Sequence, residues 1–311
     1  MIDFNFIYEN IDNIKFVLVS KDSNNEYIAR KSYINEDLND NLKQLYIKNL
    51  ENIFKSKDLV KLDYEINQDD TIAYLEENEL ISSSNLLYNF IKDRIVPMNI
   101  ENIDKLNLFA KDALFYSFVF QLKNQESIVI IRKMSSNYSL KNKTIVFFND
   151  SRLNKINEDI VAFDNKIDIV IYKGKIYVLN KYSFEVLFSY RIYYKDRAQG
   201  VINILRSSNI IDNIDDFEED CLERSRIVKK LAALSDSDTL GKFIDKFYSN
   251  PDIINNSIEK YELGIEIKDN KIKYNDISSL LQIVNFISDN YYQSDITEEK
   301  YTAKAKSKLI S

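Results

Sequence analysis

Three side chains between residues 166 and 191 have the types that a metal-dependent nuclease uses. Asp168 begins one apolar run, and Lys181 follows the next one, "KIYVLN". In nucleases of the restriction-enzyme type, an Asp on one strand and a Glu-x-Lys on the next hold Mg²⁺ and orient the attacking water. Here the residue two positions before Lys181 is Leu179, and Glu185 could supply the missing carboxylate only from a following helix. We therefore favour a structural hairpin and keep a nuclease centred on Asp168 as the alternative.

The composition excludes several other chemistries. The chain of 311 residues contains no His, which rules out Ser-His and Cys-His catalysis and His-bound zinc. Its four glycines are scattered, so neither a Walker loop nor a dinucleotide-binding fingerprint can be assembled. Cys221 has no partner for an internal disulfide, and the opening "MIDFNFIYEN" lacks a secretory signal pattern, as expected of a cytoplasmic protein. We expect no catalytic residue, no bound metal and no cofactor.

Basic residues in the last third of the chain form the second candidate site. The net charge of −7 argues against a basic surface over the whole protein, but a local patch can still contact phosphates because salt confines the field of distant charges. Ordinary solvated helix faces would give the same pattern, and on the residues alone we favour that interpretation. The candidate DNA-binding residues are Arg224, Arg226, Lys229, Lys230, Lys242 and Lys246.

Hydrophobic periodicity predicts an α+β protein with two lobes. In the N-terminal lobe, residues 1–108, the runs 15–22 and 26–34 predict a hairpin, and 35–54 predicts a helix. We expect further helical pieces over 71–97 and a boundary near residues 97–108. The C-terminal lobe, 109–311, is predicted to contain an antiparallel or mixed sheet flanked by helices.

Individual elements of the C-terminal lobe are also predicted. Closely spaced apolar runs from residue 115 onward indicate strands, and the alternation over 167–178 with a turn at Gly174 predicts a hairpin. Ser183 is the expected N-cap of the helix that follows. Residues 215–234 predict one helix with an acidic start, 263–276 a small hairpin, and Thr297 the N-cap of a last helix that carries Lys304, Lys306 and Lys308.

One block of sequence resembles a known family. The segment "IVAFDNKIDIVIYKGKIYVLNKYSFEVLFSYRIYY" (160–194) and the ending "YYQSDITEEKYTAKAKSKLI" are similar to the domain of the KwaB family of the Kiwa anti-phage defence system. The resemblance covers about residues 110 to 311, and its motifs are hydrophobic patterns without catalytic residues.

The resemblance implies a cytoplasmic, non-catalytic defence effector. Such a protein would bind DNA independently of sequence to oppose phage replication or transcription, and would be recruited to the inner face of the cell membrane by the multi-pass membrane protein KwaA. We expect a homodimer, which would double the DNA-contacting surface. A metal-dependent nuclease and an adaptor that binds only protein partners are the alternatives.

Overall fold

The computed structural model describes residues 2–62, 70–103, 112–134 and 164–303, together with the backbone of 146–149 and 152–155. The α+β class is confirmed: a large mixed sheet is accompanied by many helices. The described chain divides into two compact units, one up to Tyr190 and one from Arg191 onward. The boundary expected near residue 108 does not coincide with this division, because strands from both sides of it pair in one sheet.

The first unit is built on the large sheet. Among the described residues, nine strands form it. They are β1 (Ile11–Lys21), β2 (Tyr27–Tyr33), β3 (Asp58–Lys61), β4 (Thr71–Glu76), β5 (Glu101–Asn102), β6 (Phe115–Leu122), β7 (Ser127–Lys133), β10 (Ile169–Tyr172) and β11 (Lys175–Val178), whereas β8 (Val146–Asn149) and β9 (Arg152–Lys155) form a separate pair. The order of the nine strands in the sheet is β3-β4-β11-β10-β7-β6-β1-β2-β5. The β2–β5 and β3–β4 pairs are parallel, and the other neighbours are antiparallel.

Helical segments of the N-terminal third cover one face of this sheet. The π-helix Lys43–Lys48 places Tyr46 in the core, where its ring centroid lies 4.9 Å from that of Phe118. Aromatic pairs at this spacing stabilise the core beyond the area that they bury. The α-helices in the described part of this unit are Phe4–Asn10, Glu36–Leu42, Asn49–Ser56, Ser82–Phe90 and Lys181–Leu187, and a second π-helix covers Ile91–Ile95.

The sequence predicted the hairpins correctly and β4 incorrectly. The β1–β2 and β10–β11 hairpins are confirmed, and the second turns through Lys173 (φ 49°) and Gly174 (φ 70°). Two consecutive positive φ angles are typical of a tight turn whose twist matches its flanking strands. Residues 71–76 were expected to be helical, but they form β4 because the edge of β11 supplies hydrogen-bond partners that a local pattern cannot reveal.

The second unit is mainly helical. The expected helix over 215–234 is interrupted at Arg224, whose backbone is extended (φ −109°, ψ 106°). The hairpin of β12 (Ile267–Lys268) and β13 (Lys271–Ile272) is confirmed. Lys300–Thr302 form the strand β15, which pairs with β14 (Tyr291–Gln293). The prediction that a last helix begins at Thr297 is therefore wrong for residues 300–302. Lys304, Lys306 and Lys308 lie outside the described residues. The helices are Tyr190–Ser207, Ile214–Glu223, Ser225–Leu234, Thr239–Ser249, Pro251–Lys260 and Ile277–Ile287.

Candidate functional site

Asp168 lies at the centre of a buried polar cluster in the first unit. Its side chain is 1% exposed, and Oδ1 accepts a hydrogen bond from Arg132 Nη1 at 2.8 Å. Oδ2 accepts from the backbone N–H of Lys133 at 2.7 Å. The carbonyl oxygen of Asp168 accepts from the backbone N–H groups of Leu179 and Asn180, both at 2.9 Å. Each carboxylate oxygen of Asp168 thus already accepts a hydrogen bond, and the positive charge of the adjacent Arg132 would repel a metal ion.

Arg132 joins Asp168 to a second carboxylate. Its Nη2 lies 3.1 Å from Asp164 Oδ2, and the arginine side chain is 14% exposed. Asp164 Oδ1 also accepts from the backbone N–H of Lys166 at 3.2 Å. A guanidinium presents several donors in a fixed plane, so one arginine can hold two carboxylates in place. The result is a rigid loop over residues 164–168 at the start of β10.

Side chains from the N-terminal third hold the same loop. The hydroxyl of Tyr46 donates to the carbonyl oxygen of Asp164 at 3.0 Å, and Nδ2 of Asn49 donates to the carbonyl oxygen of Asn165 at 2.7 Å. Tyr46 lies in the π-helix and Asn49 begins the next α-helix. Single turns of π-helix are often found near functional sites, where they change the direction of side chains. The loop is thus supported by residues far away in sequence.

A pocket opens beside this cluster. Its volume is about 350 Å³, within the range of roughly 300 to 1,000 Å³ that is common for small-molecule sites. The walls combine aliphatic side chains with amides, a hydroxyl and charged groups. The lining residues are Asn49, Ile53, Lys57, Thr71, Ile72, Arg132, Asn165, Lys166, Ile167, Asp168, Leu179 and Asn180.

The other two residues of the nuclease hypothesis lie on the helix that follows β11. This helix begins at Lys181, and its N-cap is Asn180, whose Oδ1 accepts from the N–H of Ser183 at 3.1 Å. The expectation that Ser183 is the cap is therefore wrong, because the helix starts earlier and Ser183 is buried. Glu185 is 3% exposed. Across the described part of the chain, no three Cys, Asp or Glu side chains are grouped as metal ligands.

The six basic residues predicted from the sequence all lie in the second unit, in different environments. Arg224 bonds to Asp220, with Nη1 3.0 Å from Oδ1. Arg226 is exposed, and Lys229 is half-buried with its Nζ 5.8 Å from the ring centroid of Tyr194.

The remaining three of these basic residues differ sharply in exposure. Lys230 is only 7% exposed, so its ammonium group has little access to a phosphate, contrary to the sequence expectation for a contact residue. Lys242 and Lys246 are exposed on the helix Thr239–Ser249, and Lys242 Nζ lies 3.6 Å from Asp238.

The acidic run 215–220 supplies ion-pair partners for another basic residue of this unit. The guanidinium of Arg206 lies 2.5 Å from the carboxylates of both Asp215 and Glu218.

Lys242 and Lys246 border a groove in the second unit. The groove has a volume of about 1290 Å³, and aromatic side chains form much of its wall. The rings of Tyr261 and Tyr291 stack at 5.8 Å, and burial raises the pKa of Tyr291. The aromatic lining residues are Phe243, Tyr261, Phe286, Tyr291 and Tyr292.

Sequence analysis missed the residues that build the pocket of the first unit. Arg132 and Lys166 drew no attention because each is a single charge beside an apolar run. The available clue was that Arg132 directly follows the buried run of β7, where a charge needs a partner. Lys57 and Asn49 carried no comparable clue.

Comparison with known proteins identifies the family. Residues 110–297 match the model of the Kiwa protein KwaB-like family, and the chain belongs to this family. The resemblance noted in the sequence is thereby confirmed. A relative, Kiwa protein KwaB of Escherichia coli O55:H7 (strain RM12579 / EPEC), is 25% identical over 192 residues, which are 60% of this chain and 58% of the relative. No solved structure matches the chain.

Two further facts bear on this assignment. The chain's match spans 58% of the relative's length, and the matched family region begins at residue 110, after β1 to β5. No helix in the described ranges is both long and apolar enough to cross a membrane.

Proposed function

We propose that this protein is an anti-phage defence effector that binds DNA without cleaving it. The observation that carries the proposal is the match of residues 110–297 to the Kiwa protein KwaB-like family. DNA binding would obstruct phage replication or transcription, as the resemblance to the family implies. The relevant partner beside DNA is the membrane protein KwaA.

Exposed cations of the second unit support the DNA part of the proposal. Lys242 and Lys246 lie one helical turn apart on the helix Thr239–Ser249 and border the aromatic groove, and Arg226 is exposed on another helix of this unit. Phosphate contacts of this kind hold nucleic acid through charge and carry no sequence information. We therefore assign DNA contact to Arg226, Lys229, Lys242 and Lys246. Arg224, which is paired with Asp220, and Lys230, which is buried, are assigned to the packing of the unit.

Absence of catalysis is supported by the environment of Asp168. The carboxylate is bound by Arg132 and by the Lys133 N–H, and Leu179 occupies the position where a nuclease has its second acid. A homodimer would place two basic faces on one DNA and would double the number of released counterions.

Salt titration of DNA binding tests the proposal. Binding of two unrelated duplexes would be followed by fluorescence anisotropy between about 50 and 200 mM salt, and the logarithm of affinity should fall linearly with the logarithm of salt. The double variant Lys242→Gln/Lys246→Gln should weaken both duplexes equally and lower the slope by roughly 1.8, about 0.9 for each lost contact. Lys123→Gln, which removes an exposed lysine of the first unit, is the matched control and should behave as wild type.

Other outcomes separate the alternatives. If no duplex binds even at the lowest salt, the DNA proposal is wrong and a protein-only adaptor takes its place. If the double variant binds as wild type, the contact residues are misplaced. Mg²⁺-dependent cleavage of the duplex on a gel, abolished by Asp168→Ala in a folded variant, would replace the effector proposal with the nuclease.

A further inference from the structure

We propose that the pocket beside Arg132 and Asp168 binds a small phosphate monoester with an apolar portion, of the size of a nucleoside monophosphate. This site lies in the first unit and does not involve the basic residues assigned to DNA contact. Nothing in the DNA-binding proposal requires it. The argument rests on the charge, size and wall chemistry of the pocket.

Charge favours an anion. Among the described residues that line the pocket, three are cationic (Lys57, Arg132 and Lys166) and one, Asp168, carries a carboxylate. Both oxygens of Asp168 are already bound by donors of the protein, which weakens its repulsion of an anion. Asp164 also pairs with Arg132, and Lys57 and Lys166 add two further positive charges to the described wall of the pocket.

Neighbouring groups of the protein hold the cationic side chains of the pocket in place. Arg132 is held by two carboxylates and its side chain is 14% exposed, so it cannot follow a ligand into solvent. The backbone N–H of Lys166 is bound to Asp164, which fixes the base of the Lys166 side chain while that residue remains exposed. A cationic pocket that is organised before the ligand arrives loses less side-chain entropy on binding.

The walls and the volume favour an organic phosphate over the bare ion. Ile53, Ile72 and Leu179 line the pocket, and its volume of about 350 Å³ exceeds the space that phosphate alone would fill. Asn180 uses Oδ1 to cap the following helix, so its amide nitrogen is the group that it can offer to a ligand. Side chains would supply the contacts that a glycine-rich loop supplies in other nucleotide sites.

Isothermal titration calorimetry of the full chain tests this site. Thymidine 5′-monophosphate and adenosine 5′-monophosphate are the probes, with thymidine and inorganic phosphate as comparisons. We expect both monophosphates to bind, and thymidine to bind at least about tenfold more weakly because it lacks the charged group. Inorganic phosphate should also bind more weakly, because it leaves the aliphatic walls exposed to water.

Variants distinguish the pocket from other basic surfaces. Lys166→Gln changes an exposed residue and should weaken the binding of both monophosphates about tenfold, and Lys57→Gln should act in the same direction. Lys123→Gln and the groove variant Lys242→Gln/Lys246→Gln should leave it unchanged. Circular dichroism of the unliganded variants verifies that they are folded.

Three results would overturn the inference. The first is the absence of binding heat for both monophosphates. The second is equal affinity for thymidine and its monophosphate, and the third is wild-type affinity in a folded Lys166→Gln variant. Loss of DNA binding in the anisotropy assay has no bearing on this experiment, so the two proposals fail separately.

Discussion

Arg132 and Asp168 form an ion pair of 2.8 Å between Nη1 and Oδ1, in which the aspartate side chain is 1% exposed. The pair joins the end of β7 to the residue before β10, next to the register pair Ile169 and Ile131. Asp168 also binds the backbone of Lys133 and, through its carbonyl group, that of Asn180. One residue therefore connects two strands and the start of a helix.

Asp168→Asn should destabilise the protein more than Asp164→Asn. The first substitution removes the buried partner of Arg132, and breaking a buried pair costs about 3 to 5 kcal/mol. The pairing of Arg132 with Asp164 places the expected cost at the lower end of this range. Asp164 is 28% exposed in its side chain, so its loss should cost about 1 kcal/mol or less. Urea unfolding followed by circular dichroism measures both values. Equal costs would show that burial of Asp168 does not control the strength of the pair.

A fragment of residues 110–311, which begins where the family match begins, should not fold by itself. It would lack β1, which pairs with β6, and β4, which pairs with β11. Apolar side chains of β6 such as Phe118 would lose Phe16 and Tyr46 and face water. We expect the fragment to be insoluble when the full chain is soluble, and co-expression with residues 1–109 to restore solubility. A soluble, cooperatively unfolding fragment would contradict this prediction.

Stability should fall at alkaline pH partly because of Tyr88. Burial raises the pKa of this phenol from its ordinary value of 10.0 to about 12, and the nearby Glu77 carboxylate adds to the shift. A group whose pKa is higher in the folded state contributes stability that is complete below the unfolded pKa and is lost as the pH rises through the folded pKa. The loss attributable to Tyr88 therefore begins near pH 10 and is on the order of 3 kcal/mol at most.

Substitution of Tyr88 tests this assignment. The variant Tyr88→Phe should lose less stability than the wild type when urea unfolding is repeated between about pH 9 and 11. Tyr33→Phe, at a tyrosine that is 66% exposed, is the control and should show the wild-type pH dependence. If both variants follow the wild-type curve, ionisation of Tyr88 is not coupled to unfolding.

Membrane association should depend on a partner. No helix in the part of the chain that the structure describes can cross a bilayer, and the proposal assigns recruitment to KwaA. In a flotation experiment, protein that is mixed with empty vesicles should remain at the bottom of the gradient while the vesicles rise. The protein should float with the vesicles when their membrane contains KwaA. Equal flotation with empty vesicles would show that recruitment by a partner is unnecessary.

Local patterns predicted some elements of the fold and could not predict others. The hairpins β1–β2 and β12–β13 depend on neighbouring residues, and their alternation and turn residues are visible in the sequence. Strand β4 depends on β11, where Ala73 pairs with Val178, and its own residues show no clear alternation. The break at Arg224 is likewise invisible in a sequence whose composition favours one continuous helix.

The candidate sites also combine features that the local sequence reveals with features that depend on distant residues. Asp168 was recognised as a residue of interest, but the partner that decides its role, Arg132, lies on another strand. Lys230 and Lys242 look equivalent in the sequence, yet one is 7% exposed and the other is on the surface. The pocket draws its walls from five separated segments of the chain, and only the folded backbone brings them together.

The order of strands in the large sheet also has a consequence for synthesis on the ribosome. Strand β1 emerges early, but it pairs Ile11 with Leu122, and β4 meets its partner only when Val178 has left the exit tunnel. Contacts between residues so far apart form slowly, because the intervening chain must first be closed into a loop. The nascent chain therefore carries β1 and β4 with one edge unpaired until translation has passed both distant partners, and chaperones that bind such segments have this interval in which to act.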